Sequence, residues 1–218
     1  MNRQTTVLRF KLFIAPIAII LLFHGWSYAQ SFAPAPGNSG STAMHKDSSA
    51  FIDWAIGATI MRGYLNIQNP GLGMASYGVE ADALGYPDGI NVVSLGDSGV
   101  GVITFQSPII NGIGPDFAIF ENGFTDHYME FAFVEVSSDG INFFRFDAVS
   151  EAPTDNQISN VSFSNCAYIH NLAGKYRQSY GTPFDLEELT GIIGLDVSNI
   201  THIKLIDVVG TIDPAYAA

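Results

Sequence analysis

PDFAIFENGFTDHYMEFAFVEVSSDGINFFRF, residues 115–146, decides the fold. It holds three short runs dominated by aromatic and β-branched residues: Phe117–Glu121, Phe131–Ser137 and Ile141–Phe146. Such residues suit a pleated, half-buried surface. The stretch therefore reads as three neighbouring β-strands. Asp139-Gly140 lies between the last two and supplies the positive φ angles of a type I′ hairpin turn. In the middle run, Ala132, Val134 and Val136 share one face, and Phe131, Phe133 and Glu135 the other. Both faces are largely apolar, which places this strand inside a sheet with material packed over each side.

The chain of 218 residues has 22 glycines and 10 prolines, and few runs of helical period. That composition points to many short strands and turns. Outward from the central stretch, Ala58–Met61 and Tyr64–Ile67 read as strand broken at Arg62-Gly63. Residues 70–91 read as a glycine-rich loop. Val92–Leu95 and Val100–Phe105 read as a second hairpin around Gly96-Asp97-Ser98-Gly99. Ile158–Phe163 has strand character, and His202–Val209 is a well-formed strand led in by Val197–Ile200. Asp185-Leu186-Glu187-Glu188 has the D-x-x-E spacing of a helix start, with Glu188 reaching back, and predicts one short helix ending near Gly191. The chain stops at Asp213–Ala218 without a closing strand, which suggests a fragment.

Residues 1–29 have the pattern of a signal peptide. Arg3, Arg9 and Lys11 precede an apolar run from Leu12 to Phe23, and Ser27-Tyr28-Ala29 offers a cleavage site. The apolar run is shorter than the ~20 residues of a membrane span. The expected organisation is signal peptide 1–29, flexible linker 30–50 and one β-sandwich domain 51–218, secreted or at the cell surface. The leader carries three of the nine Lys/Arg and none of the 21 acids, so the remainder has a formal charge of −15. Such a surface excludes nucleic acid and anionic lipid as partners. Cys166 is the single cysteine, so no disulfide framework holds the domain.

The run Val134–Phe143 resembles the V-x-V-S-x-D-G-x-x-[WF] hairpin of galactose-binding-like jelly rolls, the discoidin or coagulation-factor 5/8 C-type modules. More of the chain, from Tyr77 to Val209, is similar to a group of bacterial exported proteins described as cell surface proteins. The matching motifs are VSLG-D-x-G (Val93–Gly99), N-G-x-G-x-D-F-x-x-F-E-N (Asn111–Asn122), A-G-K-Y (Ala173–Tyr176), G-x-x-F-D-L (Gly181–Leu186) and an I-D-V strand (Ile206–Val208). The resemblance implies an antiparallel β-sandwich of jelly-roll type with a binding or surface role and no established reaction. Members continue to an acidic final strand that this sequence does not reach.

Gly96-Asp97-Ser98-Gly99 matches the G-D-S-G of trypsin-like proteases, and Thr42–His45 echoes their T-A-x-H. A triad needs serine, histidine and aspartate in contact, and the two-barrel body of such enzymes does not fit between His45 and Ser98. The motif reads better as a turn. Calcium takes ~6–8 oxygen ligands, and Asp116, Glu121, Asn122, Asp126 and Asp207, with Glu130 nearby, are the candidates. The histidines are scattered, without transition-metal spacing. Cys166 with His170 is thin ground for a nucleophile. The loop Tyr168–Tyr180 carries Tyr168, Lys175, Tyr176, Arg177 and Tyr180, aromatic faces with flanking donors that suit a sugar or small polar ligand; pinning a long loop over the sheet is their structural alternative. The expected function is a non-catalytic binding module for an extracellular glycan or other polar molecule. A polysaccharide hydrolase using Glu121 and Glu135, and a purely structural or adhesive surface protein, are the alternatives.

Overall fold

The computed structural model describes residues 32–157 and 164–217. The leader and the expected strand Ile158–Phe163 lie outside the described residues. Eleven strands appear among those described: β1 (Met44–His45), β2 (Gly57–Met61), β3 (Val100–Ile109), β4 (Phe117–Ile119), β5 (Ala132–Ser137), β6 (Phe144–Arg145), β7 (Val149–Ser150), β8 (Ile169–His170), β9 (Leu172–Ala173), β10 (Tyr180–Phe184) and β11 (Ile200–Asp207). All pairings between them are antiparallel. The larger sheet has the order β2-β3-β11-β5-β6, with β9 also on β5, and a smaller one the order β1-β10-β4. The fold is all-β, with two sheets forming a sandwich.

Alternation within β5 explains how the layers meet. Val134 and Val136 are fully buried and join Ile203 of β11 in the main core. Facing them are Phe117 of β4 and Phe184 of β10, whose rings stack at 5.3 Å, while Phe146 meets Phe184 edge-on at 5.1 Å. Leu186, Leu189 and Ile200 belong to the same cluster. Burying side chains of this size removes roughly 1.5–3 kcal/mol each from exposure to water, so the aromatic wedge between the sheets is the main cohesive element.

The other face of β5 is polar at its centre. Glu135 lies opposite Arg145 on β6 and Lys204 on β11. It accepts from Arg145 at 3.0 Å and Lys204 at 2.5 Å. Each cation also covers an aromatic ring, Arg145 that of Phe133 and Lys204 that of Phe143. A buried carboxylate is thus paid for by two charges and two ring faces.

Several expected elements differ. The three central runs do not form neighbouring strands, because β4 pairs with β10 in the opposite sheet. The Asp139-Gly140 turn is wider than a two-residue hairpin: Val136 pairs with Phe144. Asp139 sets that width, its Oδ1 accepting from the amides of Ile141 and Asn142 at 2.8 Å each. Val92–Leu95 forms no strand, and β3 pairs instead with β2 and β11. Tyr64 makes isolated bridges to Met74 and Asp97 rather than a strand through Ile67. The predicted helix is one 3-10 turn, Leu186–Leu189, with Asp185 Oδ1 accepting from the Glu187 amide at 3.0 Å. Glu188 does not reach back; its carboxylate accepts from Asn171 Nδ2 at 2.5 Å.

Two loops owe their course to single residues. Arg62 donates to the carbonyls of Tyr77, Gly78 and Ser94 and so gathers the long segment between β2 and β3. Residues 32–50, expected as a flexible linker, lie against the domain. Met44 and His45 pair with Gly181 and Tyr180, and the Phe32 amide donates to Ala167 at 2.7 Å. Among the described residues, no helix is long and apolar enough to cross a membrane.

Candidate functional site

The A-G-K-Y motif begins on the last residue of β9. Asn171 at φ 50° and Gly174 at φ 80° bend the chain at either end of this two-residue strand. A Cβ on Gly174 would sit 1.8 Å from the Glu130 carbonyl oxygen, so only glycine fits that crossing. The chain then carries Lys175 and Tyr176 inward, leaving them 4 % and 1 % exposed. Tyr176 is anchored by a 2.8 Å hydrogen bond between its hydroxyl and Thr42 Oγ1.

Lys175 lines a cleft of about 290 Å³ together with Phe32, Thr42, Pro115, His170, Asn171 and residues of the β10 region. Thr182, Pro183, Asp185 and Glu188 complete it. The ammonium has no hydrogen-bond or ion-pair partner among the described residues; the Tyr176 ring lies 5.4 Å from Nζ. Burial holds its pKa down at about 8, opposed only by the thiol of Cys166. Thr182 is also buried, and its Oγ1 has no partner among the described residues. A buried polar group without a partner costs roughly 1–3 kcal/mol, so the cleft carries two unspent groups. His170 forms one wall, its ring stacked on Phe32 at 4.9 Å.

The five residues expected to bind a ligand do not act together. Lys175 reaches the cleft, and Tyr176 supports it from within. Arg177 pairs with Asp126 and covers the ring of Tyr180, which also meets His45 edge-on. Tyr168 belongs to a 3-10 turn beside β8. The cleft residues that sequence reading missed come from four separate stretches. Gly174 was the one local signal, marking a close backbone crossing that turns the next side chain inward.

The expected calcium ligands are likewise dispersed. Asp116 accepts from the amides of Gly112 at 2.7 Å and Leu186 at 2.8 Å, which commits both oxygens to fastening loops. Asp126 is taken by Arg177. Glu121, Asn122 and Asp207 remain; Glu121 and Asp207 are both influenced by Glu130, with Asp97 close to Asp207. Burial first, then the neighbouring charges, pushes Glu121 and Asp207 up to about 7. Among the described residues, no group of three or more His, Cys, Asp or Glu is arranged to hold a metal ion.

Two catalytic ideas lose their geometry. Ser98 sits in a tight turn at φ 60°, and its neighbour Asp97 accepts from the Ile67 amide at 2.7 Å. His45 contacts Asp47 and Tyr180 instead. Glu135 is held by Arg145 and Lys204 on the sheet face, while Glu121 accepts from the Gly123 amide at 2.5 Å. The two carboxylates have separate partners, unlike a glycosidase pair that shares a cleft at ~5–9.5 Å.

A second concavity of about 380 Å³ lies on the outer face of the large sheet, lined by Thr59, Val102, Thr104 and His202. The charges on that face, Glu135, Arg145 and Lys204, already satisfy one another. The Lys175 cleft is therefore the stronger candidate. No protein family, curated protein or solved structure matches this chain.

Proposed function

We propose that this chain is a non-catalytic binding module of the bacterial cell surface or exterior, built on a jelly-roll-type sandwich. Its ligand is a carbohydrate or another polar extracellular molecule, received in the Lys175 cleft. One observation carries the reading: a buried ammonium without a partner opens onto a cleft that also offers acceptors and apolar walls. Small-ligand sites combine a mostly apolar lining with a few convergent polar groups. The acidic surface supports an extracellular polar ligand over nucleic acid. A purely adhesive or structural protein has no need of such a cleft.

A glycan array probed with the chain, with and without calcium, tests the reading. Binding to a restricted set of glycans is the expected result. Silence in both conditions removes it.

A further inference from the structure

We infer that the Lys175 cleft recognises the carboxylate of an acidic sugar, a uronic acid being the simplest case, with the Lys175 ammonium as its ion-pair partner. This rests on the binding-module reading and narrows its ligand class.

Six Lys and Arg lie among the described residues, and five are occupied. Lys46 donates to the Pro87 carbonyl at 3.2 Å, and Arg62 to three carbonyls. Arg145 and Lys204 share Glu135, and Arg177 holds Asp126. Lys175 alone has no oxygen partner, although it is the most buried of the lysines. A buried charge is ordinarily paired, because isolation in a low dielectric is costly. None of the chain's 21 acids forms an ion pair with this lysine, although Asp185 and Glu188 line the same cleft. An anion arriving from outside supplies the missing partner.

The rest of the cleft selects the kind of anion. Asp185 and Glu188 also line it, each with one oxygen engaged, by the Glu187 amide and by Asn171 Nδ2, and one left to accept from a sugar hydroxyl. They repel any anion, a doubly charged phosphate more strongly than a singly charged carboxylate, for which one cation and one hydroxyl suffice. Thr182 provides that hydroxyl. Phe32, Pro115 and Pro183 offer apolar surface to the C–H face of a sugar ring. The volume of about 290 Å³ sits at the small end of ligand pockets, which fits one sugar residue rather than a long chain.

The test is calorimetric titration of the folded chain at pH 6.5 with galacturonate, glucuronate, galactose and galactose 6-sulfate. A uronate is expected to bind at least about tenfold more tightly than galactose, a difference of ~1.4 kcal/mol. Lys175→Met is expected to abolish that preference while its thermal melt stays cooperative. Thr182→Val keeps the side-chain shape and is expected to weaken uronate binding severalfold, providing a second variant should the first not fold. Absence of uronate binding overturns the inference, as does uronate binding unchanged in both variants. Preference for the sulfate over the uronates overturns it in favour of another anion. Neutral glycans that bind on the array with uronates silent defeat this inference alone; silence in both experiments defeats the binding-module reading as well.

Discussion

Lys175 is a residue that stability alone would not choose. Its charged form is disfavoured by burial, and its pKa of about 8 lies below the ordinary lysine value of 10.5. Replacing a buried unpaired charge with an apolar side chain of similar length removes the desolvation cost. Lys175→Met is therefore expected to stabilise the domain by about 1–2 kcal/mol, measured as a higher urea midpoint at pH 7. Destabilisation of that size would make Lys175 a structural strut. The sign also follows from linkage. A lysine with a lowered folded pKa makes the folded state lose its proton first, so its cost is largest below pH 8 and disappears as pH rises towards 10.5. Asp116 presents the opposite case. Its two oxygens fasten Gly112 and Leu186, on loops that flank β4 and β10. Asp116→Ala leaves both amides without that acceptor and is expected to cost roughly 1.5–3 kcal/mol in the same titration. A loss below about 0.5 kcal/mol would mean that water replaces the carboxylate at no penalty.

At the scale of elements, one end of the large sheet gathers negative charge. Asp207 closes β11 opposite Ala132 of β5, and the turn bearing Asp97 enters β3 at the same end. Glu121 and Asp207 are raised from 4.5 and 3.8 to about 7. Between roughly pH 4 and 7 the folded state then holds more protons than the unfolded state. Stability from these groups is full below that window and falls as pH rises through it, by on the order of 2–4 kcal/mol in all. Thermal melts across this window should show the decline. A melting temperature that does not fall between pH 4 and 7 would mean that Glu121 and Asp207 titrate as they do in the unfolded chain. The strands themselves were legible where local pattern and burial agree. Val134 and Val136 show the alternation that buries them, and β2 and β11 fall within a residue or two of their expected bounds. Pairing was less legible, because Phe117–Ile119 carries no mark of which sheet it joins. Asp139-Gly140 misled for a physical reason: the aspartate side chain captures two downstream amides and widens the turn. The cleft was only partly readable. Lys175 was visible as one of few cations, but its burial depends on a crossing over Glu130 that is distant in sequence.

The whole molecule is held together by its last long strand. β11 lies between β3 and β5, so Ile200–Asp207 separates two strands that precede it by many residues. Six residues of β11 pair with β3 and six with β5, and Ile200 and Ile203 are buried in the core that joins the two sheets. Before these residues are present, β3 has only β2 beside it and β5 only the short β6 and β9. Both would expose an unpaired edge, and exposed edges template association with other chains. A sheet built on pairings so far apart in sequence also pays loop-closure entropy before contacts repay it, which slows folding. A chain ending at Asn199 is therefore expected to lose cooperative thermal unfolding and to aggregate at micromolar concentration. Adding the missing strand as a separate peptide, residues 200–209, is expected to restore soluble protein and part of the melt. A cooperative, monomeric chain without residues 200–218 would show that β2-β3 and β5 close on each other directly, and that the observed strand order is not what stabilises the sandwich.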